Sequence, residues 1–217
     1  MTAITAQMVK QLREETGAGM MDCKQALAET NGNFDDAVDF LRKKGLKNVS
    51  KRAGKVAAEG VVYSYIHSGG RIGVMLEMNC ETDFVARGDD FLALAKDVAM
   101  HVAWANPQYV RREEVPQNVI EREQEVYKAQ LLPNQEKVAD KIVSGKLDKF
   151  FQSVCLVEQI DARDSSGKKT IGDLATDLSA KIGEKIEIRR FVRFEVGEGI
   201  QKEQADFASE VQAVLGA

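Results

Sequence analysis

Residues 61–85 read VVYSYIHSGGRIGVMLEMNCETDFV and encode a β-hairpin. The first arm, residues 61–67, is rich in β-branched and aromatic residues, and Ser68-Gly69-Gly70 after it is a turn signal. Apolar residues then alternate at Ile72, Val74, Leu76 and Met78, as in a strand with one buried face. The alternation stops at Asn79, so the remaining residues, up to Val85, form a connection.

Further regular elements follow the hairpin. Asp89 and Asp90 begin an apolar helix that Asn106-Pro107 ends, and an amphipathic helix spans residues 171–182. Residues 185–196 predict a strand. Every second residue of this strand is apolar, except that Arg190 occupies one of these positions. We therefore expect one apolar face, formed by Ile186, Ile188, Val192, Phe194 and Val196.

The first 45 residues predict a three-helix module. Thr5 can cap the first helix, and Thr16-Gly17-Ala18-Gly19 separates it from a second. Asn33 is a good N-cap for the third helix, which we expect to end at Gly45. Residues 46–59 would then be a linker.

A basic segment overlaps this linker. Seven basic residues and no acidic residue lie between positions 41 and 55: Arg42, Lys43, Lys44, Lys47, Lys51, Arg52 and Lys55. The whole chain has a net charge of −4, so this segment stands out. It is either a solvated linker or a surface that contacts RNA or an acidic partner.

Residues 116–151 predict a projecting helical hairpin. Two polar helical stretches, about 118–131 and 136–151, flank Leu132-Pro133-Asn134. Their apolar residues are sparse, which suits two helices that pack on each other better than a buried core helix.

Composition excludes several classes of protein. The 217 residues include three widely separated cysteines and two histidines, which disfavours a disulfide framework and a metal site. The most apolar helix, residues 91–104, contains Lys96, Asp97 and His101, so a membrane span is not expected. No secretion signal is visible at the N-terminus, and we expect a cytoplasmic protein.

Motifs for covalent or nucleotide chemistry are incomplete. Gly17-Ala18-Gly19 with Lys24 fails as a phosphate-binding loop, because Cys23 precedes the lysine and Gln25 follows it. We therefore expect no bound nucleotide, cofactor or metal. Cys80 is either a packed thiol or a nucleophile activated by His67 or His101, which would make the chain a thiol enzyme.

Two pairs of neighbouring residues carry large apolar side chains whose burial the sequence leaves open. Asp83-Phe84 places a large aromatic in a connection, where it is either covered by its own domain or inserted into a partner. Met20-Met21 cannot both face inward, so one methionine is expected to be exposed, as at adaptable binding surfaces.

Three motifs resemble bacterial translation elongation factor Ts. They are residues 16–24 (TGAGMMDCK), 79–86 (NCETDFVA) and 191–199 (FVRFEVGEG), in the order of that family, and the resemblance covers essentially the whole chain. It implies an α+β fold. The N-terminal module would be ubiquitin-associated-like, and a core domain (residues 60–197) would hold a three-stranded antiparallel sheet and a helical-hairpin coiled coil. A C-terminal helical tail (198–217) would follow.

The resemblance also implies guanine-nucleotide exchange on the GTPase elongation factor Tu. Thr82, Asp83, Phe84 and Val85 would wedge between helices of the GTPase and help to dislodge Mg²⁺ and GDP. Lys10, Arg13, Met20 and Met21 would dock the tip of the N-terminal module. No catalytic residue, membrane or direct nucleic-acid contact is implied.

One departure concerns length. Longer members of the family have a core of two related halves, whereas this chain carries one, as in the short form. A single unit offers less contact area, which makes a homodimer that engages two GTPases plausible.

Three other functions would give different measurements. An adaptor would bind a partner without accelerating nucleotide release, and a thiol enzyme would lose activity on Cys80→Ser. An RNA-binding accessory that uses residues 41–55 would bind in a steeply salt-dependent way.

Overall fold

The computed structural model describes residues 4–200, except for the side chain of Lys137. It has a mixed α+β fold, which confirms the predicted class. The elements are α1 (Ala6–Thr16), α2 (Met20–Glu29), α3 (Phe34–Arg52), β1 (Glu59–Ile66), β2 (Ile72–Cys80), α4 (Asp83–Ala86), α5 (Asp89–Ala105), α6 (Gln117–Ala129), α7 (Ala139–Val154), α8 (Ile171–Ile182) and β3 (Glu187–Glu195). Short 3₁₀ turns occur at Arg112–Glu114, Pro133–Val138 and Leu156–Glu158.

Helices α1–α3 pack around a small core of their own. The hydroxyl of Thr5 accepts a hydrogen bond from the Met8 amide, and Asn33 caps α3 through the Asp36 amide. The left-handed Gly17 (φ 68°) ends α1. The buried side chains are Val9, Leu12, Cys23, Ala26, Leu27, Ala37 and Leu41.

Helix α3 does not end at Gly45, so that prediction is wrong. It continues to Arg52, and residues 46–52 of the expected linker are helical. The reason is tertiary packing. Gly45 lies against α8, where a Cβ at this position would be only 2.9 Å from the Cβ of Ala180. A glycine inside the helix therefore allows α3 and α8 to approach closely.

The three strands form an antiparallel sheet in the order β1-β2-β3. Glu77 pairs with Arg190 and Met78 with Ile188, so Arg189 is an extra residue, a β-bulge. The bulge reverses which face the following residues occupy. The predicted continuous apolar face is therefore wrong: Ile186 and Ile188 are buried, whereas Val192, Phe194 and Val196 are exposed.

One face of the sheet packs on helices. Leu76 and Met78 of β2 meet Phe91 and Val98 of α5 in the main core, together with Ile171 of α8. The opposite face carries exposed apolar side chains from all three strands, among them Val62, Met75 and Phe194.

The predicted helical hairpin is formed by α6 and α7. Helix α7 begins and ends three residues later than expected, at Ala139 and Val154. Its base is held by a separate cluster that includes Val115, Phe151 and Val154. The Arg112 guanidinium lies 4.6 Å from the centroid of the Phe151 ring.

The predicted C-terminal helical tail falls largely outside the described residues. Residues 196–199 form a turn, and residues 201–217 are not described. Among the helices that are described, none combines the length and apolar character needed to cross a membrane.

Candidate functional site

The turn after β2 presents a single aromatic side chain. Thr82 caps the one-turn helix α4 through its hydroxyl, which accepts a hydrogen bond from the Val85 amide. Val85 and Ala86 point inward and are buried. Phe84 points the other way and is 84% exposed. Packing under its own hairpin, one of the two alternatives for Phe84, is therefore excluded in this conformation.

Asp83 lies in the first turn of α4, where a carboxylate suits the helix N-terminus. One carboxylate oxygen accepts a hydrogen bond from Arg87 at 2.8 Å, and both side chains are mostly exposed. A surface pair of this kind adds little stability, at most about 1 kcal/mol.

Two carboxylates hold the base of this turn. Glu184, directly after α8, accepts hydrogen bonds from the amides of Glu81 and Thr82 (3.1 and 3.0 Å) and from the Thr82 hydroxyl (2.7 Å). Glu81 in return accepts from the Lys185 amide at 2.7 Å and from Arg52 of α3 at 2.9 Å. These bonds, above all that from the Lys185 amide and then that from Arg52, lower the pKa of Glu81, which therefore stays ionised at neutral pH.

The second predicted surface lies on the N-terminal module. Met20 and Met21 begin α2 and are 47% and 76% exposed, which confirms that at least one methionine faces solvent. Lys10 and Arg13 lie one turn apart on the exposed side of α1. The structure therefore divides the predicted site residues between two places, the module tip and the turn at Phe84.

The cysteines do not form a reactive site. Cys80 is fully buried and its thiol donates to the Thr82 carbonyl at 3.1 Å. Burial, with the nearby Glu184 carboxylate, raises the pKa of Cys80 to about 11, so the thiol is protonated at neutral pH. The packed-thiol interpretation is confirmed. Within residues 4–200, no group of three or more metal-ligating side chains is arranged to hold an ion.

Comparison with known proteins decides the family. The family model described as "Elongation factor TS" matches residues 1–167. An elongation factor Ts from Desulforamulus reducens is 56% identical over the whole of both chains. One from Syntrophomonas wolfei is 58% identical over 98% of this chain and 99% of that protein. The chain belongs to the elongation factor Ts family. Because the alignments span both proteins, it is of the same short form as these relatives.

Family membership supplies the function. The chain is a nucleotide exchange factor for elongation factor Tu in translation elongation, and it carries out no covalent chemistry. It is a cytoplasmic translation factor. The thiol-enzyme and adaptor alternatives are thereby set aside. That the chain does not contact nucleic acid directly stays a prediction.

Three residues that hold the turn were missed by sequence reasoning. Glu81 lies inside the 79–86 motif, but its side chain received no role. The sequence places Arg52 in a linker, because Gly45 predicts the end of α3. Glu184 carries no periodic or motif signal, and only the loop position after Gly183 (φ 80°) brings it to the turn.

Proposed function

We propose that the factor promotes GDP release by inserting Phe84 between two helices of the nucleotide domain of elongation factor Tu. The observation that supports this is the exposure of Phe84 beside buried Val85 and Ala86. Inserting an aromatic that is already exposed on a fixed turn requires no unfolding of the factor. Burying it in a partner supplies the energy typical of an interface anchor.

The wedge would act on Mg²⁺ indirectly. Mg²⁺ demands a nearly ideal octahedral shell of oxygens, and in GTPases it bridges the protein and the phosphates. Helices forced apart by Phe84 would move the groups that hold the ion. An exchange protein that binds the nucleotide-free GTPase best weakens the binding of nucleotide. By linkage, bound nucleotide weakens the binding of the exchange protein by the same ratio.

Thr82, Asp83 and Val85 would support the wedge. Thr82 and Val85 fix α4 through the capping bond, and Val85 anchors it in the core. Asp83, paired only at the surface with Arg87, would hold the turn or contact a helix end of the partner.

The module tip would supply the docking contact. Met20 and Met21 offer adaptable thioethers, and Lys10 and Arg13 add positive charge on the neighbouring helix. Lys10 also lies 3.7 Å from Glu14, an exposed pair that adds little to folding stability.

We also propose the domain division implied by the resemblance. Residues 1–45 would be a ubiquitin-associated-like module with its own core, and 60–197 a core domain. Residues 116–151 would be a coiled coil, supported by the α6–α7 pairing. Because α3 extends to Arg52, the linker proposed for residues 46–59 is reduced to residues 53–59.

The open face of the sheet supports a homodimer. Met75 pairs with Val192, and Gly73 pairs with both Phe194 and Ile66, so their exposed side chains lie side by side. Contiguous apolar surface of this kind marks an interaction site. A second copy could cover it by an isologous, two-fold contact and so supply the second half of the core that longer members carry.

The wedge is tested by the Mg²⁺ dependence of exchange. We expect the factor to accelerate GDP release strongly at millimolar Mg²⁺ and much less after chelation, because the ion is then already lost. With Phe84→Ala, the Mg²⁺-dependent part of the acceleration should shrink most. Acceleration that is equal with and without Mg²⁺, and equally reduced by Phe84→Ala in both, would contradict an action through the ion.

A further inference from the structure

The turn that carries Phe84 is held from two directions at once. Glu184 reaches it from the end of α8, and Arg52 reaches it from the last turn of α3. We propose that Arg52, Glu81 and Glu184 form a brace, a set of positioning residues that fixes the direction of Phe84 and ties it to the helix of the docking module. This inference rests on the proposed wedge.

The Glu184 half of the brace fixes the backbone. Its two oxygens take three donors, the amides of Glu81 and Thr82 and the Thr82 hydroxyl. The same hydroxyl oxygen accepts a hydrogen bond from the Val85 amide at 3.4 Å, and this bond caps the N-terminus of α4. Because a carboxylate strengthens the hydrogen bonds that it accepts, Glu184 restrains both the entry to α4 and its cap.

The Glu81 half connects the turn to α3. One nitrogen of Arg52 lies 2.9 and 3.0 Å from the two Glu81 oxygens, and the Lys185 amide adds a third bond. The Glu81 side chain is 18% exposed, so this pair is better shielded than an ordinary surface pair. Glu184 thus holds the backbone of Glu81 and Thr82, and Glu81 holds the backbone amide of Lys185, the residue next to Glu184.

Helix α3 is itself fixed on the core. Gly45 packs closely on Ala180 of α8, and the stem of Lys181 lies beside Gly17 of the module. Lys181 also bonds to Asp90 of α5 at 2.8 Å. The module and the turn are therefore connected by a continuous set of contacts, so docking of the tip places Phe84 at a defined position.

Positioning by the brace predicts a loss of rate with little loss of affinity. Arg52→Met keeps the apolar stem and removes the ion pair, whereas Glu184→Ala removes three acceptor bonds. We expect each to slow GDP release at saturating factor about tenfold, the effect of losing bonds to a charged group. The concentration of factor that gives half-maximal release should change by less than about twofold, because the tip is intact. The matched control, Lys51→Met, removes a charge from the neighbouring position and should leave both quantities unchanged.

A double-mutant cycle with Phe84→Ala separates positioning from general stability. If the brace acts through Phe84, adding Glu184→Ala to Phe84→Ala should slow release no further. Effects that multiply, or brace variants with normal release, would overturn the proposal. If Phe84→Ala alone releases GDP normally, the wedge fails and the brace with it. If Phe84→Ala is slow and the brace variants are normal, only the brace fails.

Should Glu184→Ala unfold, Glu184→Gln serves in its place. Its amide oxygen can still accept from the two backbone amides, so it should fold and show a smaller loss than Arg52→Met. Full activity in both Glu184→Gln and Arg52→Met, with folding confirmed by thermal melting, would also overturn the brace.

Discussion

At the scale of single residues, the site depends on which side chains are left out of the core. The sequence predicted that Phe84 and one of the two methionines would be unusual, because large apolar residues stood where no face could bury them. The sequence does not decide whether the Phe84 side chain is buried or exposed, because this depends on which of Phe84 and Val85 faces the core. The capping bond of Thr82 decides it by starting α4 in one register.

The docking role of the tip predicts a loss of affinity without a loss of maximal rate. Replacing Met20 and Met21 together by Ala removes two exposed thioethers but no side chain of the module core. We expect the affinity for elongation factor Tu, measured by titration calorimetry, to fall about tenfold or more. Thermal stability should barely change. A double variant that binds with full affinity would show that the tip is not a docking surface.

At the scale of elements, the sequence predicts the order and type of the helices and strands except for the one-turn helix α4, which lies where a connection is expected. Two tertiary effects also escape it. The sequence predicts that Gly45 ends α3, because glycine is common just after a helix. In the structure Gly45 packs against α8, and α3 continues through it. The bulge at Arg189 is likewise a feature of the pairing between strands. At the bulge, the Glu77 carboxylate on β2 accepts hydrogen bonds from both Arg189 and Arg190 of β3. Neither effect has a local sequence signal.

Helix α5 also carries a group that couples folding to pH. His101 is buried, and its Nε2 lies 3.0 Å from Gln159 Oε1. Burial lowers the pKa of His101 below its usual 6.5, helped by Arg163 and opposed by the Gln159 bond and by Asp161. The folded state therefore holds His101 neutral, whereas the unfolded chain takes up a proton below the usual pKa.

It follows that the contribution of His101 to the free energy of unfolding is fully present above about pH 6.5 and is lost as the pH drops toward the lower pKa of the folded state. One proton limits the slope to about 1.4 kcal/mol per pH unit. Thermal melting between pH 7 and 5 should show this fall in the wild type and less of it in His101→Gln. His67→Gln, which removes the exposed histidine, is the control. Equal pH dependence in the wild type and His101→Gln would refute the assignment.

At the scale of the whole molecule, the short form leaves one sheet face open. The sequence shows one core unit where longer members have two, and this departure raises the homodimer, but the sequence does not name the surface that would pair. The bulge explains why: it moves Val192, Phe194 and Val196 from the predicted buried face to the exposed one. The surface proposed for pairing therefore depends on a feature that periodicity does not reveal.

Dimerisation through this face predicts a mass of about twice 24.0 kDa by light scattering at micromolar concentration. Phe194→Lys should reduce the mass to that of one chain without unfolding it, because the side chain is 66% exposed in a single copy. Val56→Lys, at an exposed apolar position that belongs to none of the three strands, should leave the mass unchanged. A wild type that is monomeric at every concentration and still active would exclude an obligate dimer.

The most direct measurement of the central claim is the release of labelled GDP from elongation factor Tu at saturating factor, with Phe84→Ala in place of the wild type. Truncating an interface anchor costs about 2 kcal/mol, which would slow release about 30-fold if the contact forms mainly in the nucleotide-free complex. Trp104→Ala removes another aromatic, 72% exposed on α5, and should release GDP at the wild-type rate. The melting temperature of Phe84→Ala should match the wild type, because Phe84 is exposed. Slow release from this stable variant is the predicted result, and wild-type release from it would contradict the wedge.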